Sequence, residues 1–140
     1  MNWSEFNNIF SDSEIVGEKI FIKTQVARAL EFIKDSYGFR ILKEIIAIDN
    51  QEGGIELIYK LYSPEDEEDV LISTVVVKEA ESVSKIFDSA IADEKEIYDL
   101  FGVNFVGNFE LKRLYMPDSW KGHPLKKDYV ADDERLNWND

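Results

Sequence analysis

The hydrophobic period changes twice in the first 40 residues, and that change restricts the chain to mixed α/β architectures. From Glu14 to Lys23 apolar and polar residues alternate, with Ile20 and Ile22 on one side and Phe21 on the other, the pattern of a strand. Val26, Ala29, Leu30, Ile33 and Tyr37 then recur at helical spacing. Thr24 is placed to cap that helix and Gly38 to end it, so a helix is expected over about Gln25–Tyr37. After Gly38 the period returns to two.

Ile41–Asp49 is rich in β-branched residues, and Asn50-Gln51-Glu52-Gly53-Gly54 is turn chemistry before a second alternating run, Ile55–Tyr62. A polar loop over Ser63–Asp69, with Pro64 and the acidic run Glu65–Asp69, leads to a third extended run, Val70–Lys78. Two short helices are expected next. Ser82 is placed to cap the first, with Val83, Ile86, Phe87 and Ala90 on one face. Asp93-Glu94-Lys95-Glu96 has the spacing of a capping box for the second, whose buried stripe is Ile97, Leu100 and Phe101 and whose stop is Gly102. The expected fold is α+β, an antiparallel-rich four-stranded sheet in the order β-α-β-β-β backed by helices. Its domain spans 1–102, followed by an extended arm over 103–140. The arm carries Phe105, Phe109, Tyr115, Trp120, Tyr129 and Trp138 without lasting periodicity, which is too apolar for a solvated tail and too irregular for a core of its own. Phe101 and Phe105 are expected to close the domain core, and Trp120, Tyr129 and Trp138 to engage a neighbour.

Composition removes whole classes of chemistry. With no cysteine there are no disulfides, thiolate metal ligands, ordinary iron–sulfur ligands or thiol nucleophiles, and His123 is the only histidine, so a multi-histidine metal site is excluded. No cofactor is expected on this chain. No run approaches the roughly 20 apolar residues of a membrane-spanning helix, and the first residues lack signal-peptide character, so a cytoplasmic location is expected. A net charge of −13 disfavours nucleic acid and anionic lipid. That charge is uneven: residues 1–102 hold 10 basic and 22 acidic side chains, residues 103–140 hold 6 and 7, and within 112–127 Lys112, Arg113, Lys121, Lys126 and Lys127 face only Asp118.

Two segments stand out. One is Glu94-Lys95-Glu96-Ile97-Tyr98-Asp99-Leu100-Phe101-Gly102-Val103-Asn104-Phe105, the other Trp120-Lys121-Gly122-His123-Pro124-Leu125-Lys126-Lys127-Asp128-Tyr129, with Leu111-Lys112-Arg113-Leu114-Tyr115-Met116-Pro117-Asp118 between them. In order and spacing they resemble the thirty-kilodalton subunit family of respiratory complex I and the equivalent subunit of energy-converting membrane [NiFe] hydrogenases. The chain departs from the family pattern at Ala92, where a Trp is usual, at Lys95, where an Arg is usual, and at Asn108-Phe109, where His-Pro is common. Lys95 lacks the planar two-pronged donor of an Arg.

The resemblance implies a non-catalytic docking subunit of a membrane-associated electron-transfer oxidoreductase. It implies a place between the large subunit holding the quinone or [NiFe] site and the small iron–sulfur subunit, peripheral to the membrane, in a complex that couples electron transfer to ion pumping. The partner-contacting residues it implies are Glu94, Glu96, Asp99, Phe101, Gly102, Arg113, Pro117, Trp120, Gly122, His123, Pro124, Leu125, Lys127, Asp128 and Tyr129.

Read without the resemblance, Glu94, Glu96 and Asp99 have two uses. They form an acid–base set for a stand-alone carboxylate-dependent hydrolase, or they satisfy free amides at a helix start and anchor the arm through Arg113 or Lys127. His123 sits in a Gly- and Pro-flanked bend with no nucleophile motif beside it. A regulatory scaffold outside any redox complex is a third reading, distinguished by its partners.

Overall fold

The computed structural model describes residues 1–108. Within them the chain runs α1 (Trp3–Ile9), β1 (Ser13–Val16), β2 (Lys19–Ile22), α2 (Val26–Tyr37), β3 (Ile41–Asp49), β4 (Ile55–Ser63), β5 (Glu68–Val76), β6 (Glu79–Glu81), α3 (Ala90–Phe101) and β7 (Asn104–Val106). Five strands form one sheet in the order β1-β2-β5-β4-β3, and β6 pairs with β7 in a parallel two-stranded ladder. Only the β2–β5 contact in the large sheet is parallel, because α2 and the β3–β4 hairpin intervene between them. The expected α+β class and β-α-β-β-β plan are present. The fifth strand arises because the first alternating run is itself a hairpin, folded at Gly17, whose φ of 62° suits a residue without Cβ.

The register explains which residues form the core. Across the sheet Ile20, Ile72, Tyr59 and Ile45 stand in one row and are all buried. The row beside it, Phe21, Ser73, Ile58 and Ile46, points to the other face. Val26, Ala29, Leu30 and Ile33 of α2 join the first face in one hydrophobic cluster with Leu57, Leu61 and Ile22. α1, which the sequence pattern did not announce, attaches through aromatic rings. Phe6 stacks on Phe10 at 4.9 Å, Phe10 meets Phe32 edge-on at 5.8 Å, and the Tyr37 hydroxyl donates to Glu5.

The ends of α2 divide between expectation and correction. Gly38 ends it with φ of 78° and donates its N–H to Lys34. Thr24 is not its cap: its N–H and hydroxyl both donate to Asp12, and Gln25 takes the left-handed conformation instead. The β3–β4 turn behaves as its composition dictates, with Asn50 Oδ1 accepting from Glu52 N and Gly54 N.

The expected pair of short helices is one helix. Residues 83–87 make a single turn, Val83 O accepting from Phe87 N at 2.9 Å, and β6 precedes it. The apolar face assigned to that stretch is nevertheless real, since Val83, Phe87 and Ala90 are buried. Burial of three residues does not need a whole helix. After α3, Val103 and Phe105 are fully buried as β7 lies beside β6, whereas Phe101 is half-buried against the core. No helix among the described residues is long and apolar enough to cross a membrane.

Candidate functional site: the carboxylate-bearing helix α3

α3 presents Asp93, Glu94, Glu96 and Asp99 within seven residues, and the fold sends them to different places. Successive helical positions turn by about 100°, so residues two apart do not share a face. Glu94 is fully buried and Glu96 is exposed. Asp99, which shares a face with Glu96 in a simple helical projection, is fully buried as well.

Glu94 is a structural tie. Its Oε1 accepts from the Ser82 hydroxyl at 2.6 Å and from Asn108 Nδ2 at 3.0 Å, and its Oε2 accepts from Val83 N at 2.8 Å. One side chain thus joins α3, the turn after β6 and Asn108, two residues past β7. Desolvation raises its pKa above the ordinary carboxylate value, against the lowering effect of its three donors. The Tyr59 hydroxyl lies in the same interior and has no hydrogen-bond partner among the described residues; desolvation and the nearby carboxylates of Glu94 and Glu81 hold it in its neutral form.

Asp93 and Ser89 face the free edge of β3. Asp93 Oδ2 accepts from Ile45 N at 3.2 Å, and Ser89 Oγ donates to Leu42 O at 3.1 Å. These two bonds take up edge groups of β3 that would otherwise be open to another strand. They also explain why Ser89, at the N-cap of α3, makes no cap bond there: both side chains are committed to the sheet. The Asp93 pKa is raised, first by desolvation and further by the like charges of Glu96 and Glu44.

Between α3 and the β3 edge lies a groove of roughly 210 Å³ lined by Ile45, Ala47, Asp93, Glu96, Ile97, Leu100 and Phe101. Its floor is apolar and its rim acidic. It is smaller than the ~300–1,000 Å³ of usual small-molecule sites. Glu94 and Glu96, the two carboxylates read as an acid–base set, are not brought together, since Glu94 faces the interior and Glu96 faces solvent. Among the described residues no group of three or more His, Asp or Glu side chains is arranged to hold a metal ion.

Gly102 ends α3 with φ of 80°, its N–H donating to Tyr98. Of the expected partner-contacting residues, Glu94, Glu96, Asp99, Phe101 and Gly102 are thus on one helix and its cap. Arg113, Pro117, Trp120, Gly122, His123, Pro124, Leu125, Lys127, Asp128 and Tyr129 lie outside the described residues, as do Trp138 and the rest of 109–140. Ala92 is exposed and Lys95 half-buried, the latter without an ion pair among the described residues. Sequence reading missed Ser82, Asn108 and Asp93 as tertiary partners. The one available signal was Asn108 itself, a polar donor at a position where the family often has His.

An antiparallel-rich sheet backed by a helix that carries the first of the two motifs, with its Glu94 carboxylate buried, defines a small α+β domain. The chain belongs to the family of the respiratory-chain NADH dehydrogenase 30 kDa subunit, whose model matches residues 21–135. Among its relatives, the C-type subunit of NADH-quinone oxidoreductase from Geobacter sulfurreducens is 33% identical over 113 residues, covering 76% of this chain and 70% of that one. The corresponding protein of Moorella thermoacetica is 30% identical over 134 residues, 89% of this chain and 90% of that one. The C/D-type subunit of NADH-quinone oxidoreductase from Phocaeicola vulgatus is 36% identical over 100 residues, 69% of this chain, but this chain spans only 19% of that longer protein's length. The solved structure of the membrane-bound sulfane sulfur reductase, an archaeal respiratory membrane complex, contains a chain with the same fold: TM-score 0.64, 22% identity, 96% of this chain and 78% of that chain.

Proposed function

We propose that this chain is a non-catalytic docking subunit of a complex I-like NADH:quinone oxidoreductase or a related membrane complex. In this role it holds the large subunit of the quinone or [NiFe] site beside the small iron–sulfur subunit. The family match over residues 21–135 carries the proposal. Two structural features support it. The buried motif carboxylate Glu94 is spent on internal donors rather than offered to a substrate. The sheet face away from the helices leaves Ile46, Ile48 and Val75 exposed, an apolar surface of the kind that marks protein contacts.

The chain contributes no electron carrier in this mechanism. It contributes geometry: an α+β body and an aromatic C-terminal stretch with a basic run over 112–127, whose burial against neighbours offsets the entropy of ordering it. Losing it dissolves the assembly rather than slowing one step.

The test is purification of the tagged chain from its native host in mild detergent, with mass spectrometry and metal analysis of what accompanies it. Co-purification of a large subunit and an iron–sulfur small subunit is the expected result, and nickel in the eluate distinguishes a hydrogenase from a quinone reductase. A metal-free chain that comes alone, or with proteins unrelated to redox chemistry, overturns the proposal.

A further inference from the structure

Basic side chains are scarce in the body of this acidic chain, and three of them meet at one cavity. Residues 1–102 hold 10 basic and 22 acidic side chains. Lys34 of α2, Arg40 just before β3 and Lys85 in the turn before α3 line a cavity of roughly 540 Å³, and Asp88 is the one acidic residue among its described lining. Three cations against one carboxylate leave the cavity at +2 in a chain whose net charge is −13.

The fold holds these groups in place. Lys34 is half-buried; its Nζ donates to Ile86 O at 2.8 Å and stands 5.3 Å from the centre of the Phe87 ring. It makes no ion pair among the described residues. Lys85 is the neighbour of Ile86, so the tip of Lys34 lies beside the backbone from which Lys85 projects. Ser89 Oγ donates to Leu42 O at 3.1 Å and fixes this turn against the start of β3, two residues from Arg40. Arg40 Nε donates to Glu65 at 3.1 Å in a pair exposed at both ends, and a guanidinium with five N–H donors is not exhausted by that contact.

We propose that the cavity between α2, the start of β3 and the turn before α3 binds the phosphate group of a small, soluble phosphorylated molecule, with Lys34, Arg40 and Lys85 as its donors. The volume falls within the ~300–1,000 Å³ of small-molecule sites. A phosphate group carries close to two negative charges at neutral pH and offers three acceptor oxygens, which matches three cations and an excess of +2. The acidic remainder of the surface repels extended polyanions such as nucleic acid or an anionic bilayer, so the ligand is small and free in solution. This site does not depend on which complex the chain joins.

The probe is inorganic pyrophosphate, titrated at constant ionic strength into the isotope-labelled full-length chain and followed by amide resonances. Saturable shifts confined to Lys34, Arg40–Leu42 and Lys85–Ser89 are expected. Arg40→Gln and Lys85→Gln change exposed side chains, and each should weaken the midpoint about tenfold, the size of one charge-assisted hydrogen bond. Asp88→Asn should tighten it by removing the opposing charge. The absence of saturable shifts, or a midpoint unchanged in both glutamine variants, overturns the proposal. Equal shifts from the same concentration of succinate assign the cavity to carboxylates, as of an acidic protein segment, and overturn it. Sedimentation of the chain with phosphatidylglycerol vesicles without any response to pyrophosphate assigns the cations to a membrane surface and overturns it too.

Discussion

Replacing Glu94 tests whether one buried carboxylate holds three parts of this fold together. In Glu94→Ala the Ser82 hydroxyl keeps a partner, since it already lies 2.7 Å from the Ser84 hydroxyl. The Val83 N–H loses its partner in a buried setting, and the Asn108 amide loses this one contact. An orphaned buried donor costs about 1–3 kcal/mol, so the Val83 N–H and the lost Asn108 contact, less the relief of no longer burying a carboxylate, give an expected loss of about 2 kcal/mol. Glu94→Gln keeps the shape and one acceptor and is expected to lose about 1 kcal/mol. Urea unfolding of full-length chains, followed by far-ultraviolet circular dichroism, measures both. The pH dependence has a definite sign. Because the folded-state pKa is raised, the folded chain holds the proton longer than the unfolded one. This contribution is therefore fully present below the ordinary glutamate pKa and is lost as pH rises through the higher folded value. The stability of the wild type relative to Glu94→Gln should accordingly fall as pH rises across that window. A loss below about 1 kcal/mol for Glu94→Ala, equal losses for Ala and Gln, or a pH slope of the opposite sign would refute the tie.

Tyr59→Phe removes a buried hydroxyl that has no partner among the described residues, so unfolding should show no loss of stability and a gain of up to about 1 kcal/mol; a clear loss would reveal a hidden acceptor. Gly38→Ala forces a Cβ into the left-handed residue that ends α2 and should cost about 1–2 kcal/mol in the same assay, with Gly38→Asn costing less; equal effects would contradict the conformational argument. Burial raises the Glu56 carboxyl, but hydrogen bonds from Lys19 at 2.6 Å and Ser73 at 2.6 Å outweigh it and hold the pKa below its ordinary value. Lys19→Met should therefore move the Glu56 titration upward, followed by carboxyl-carbon resonances, and an unmoved titration would show that Ser73 alone sets it.

What the sequence determined by itself is local. The alternation of Ile41–Asp49 and Ile55–Tyr62, the Asn-Gly-rich turn between them, the apolar stripe of α2 and the glycines that end α2 and α3 were legible because each is a property of a few neighbouring residues. The motif on α3 was legible as a family resemblance, though not the uses of its members. Tertiary structure decided those, because a capping side chain satisfies whichever unfilled backbone group lies nearest after folding. Thr24 is held by Asp12, Asp93 turns to the β3 edge, and Ser82 turns to Glu94, each leaving the helix start that its spacing suggested. The same reason explains the hairpin hidden in Glu14–Lys23 and the single turn at 83–87. Strand pairing and burial are settled by partners distant in sequence, such as Leu71 opposite Lys19 and Val106 opposite Glu81, and no local period encodes a partner.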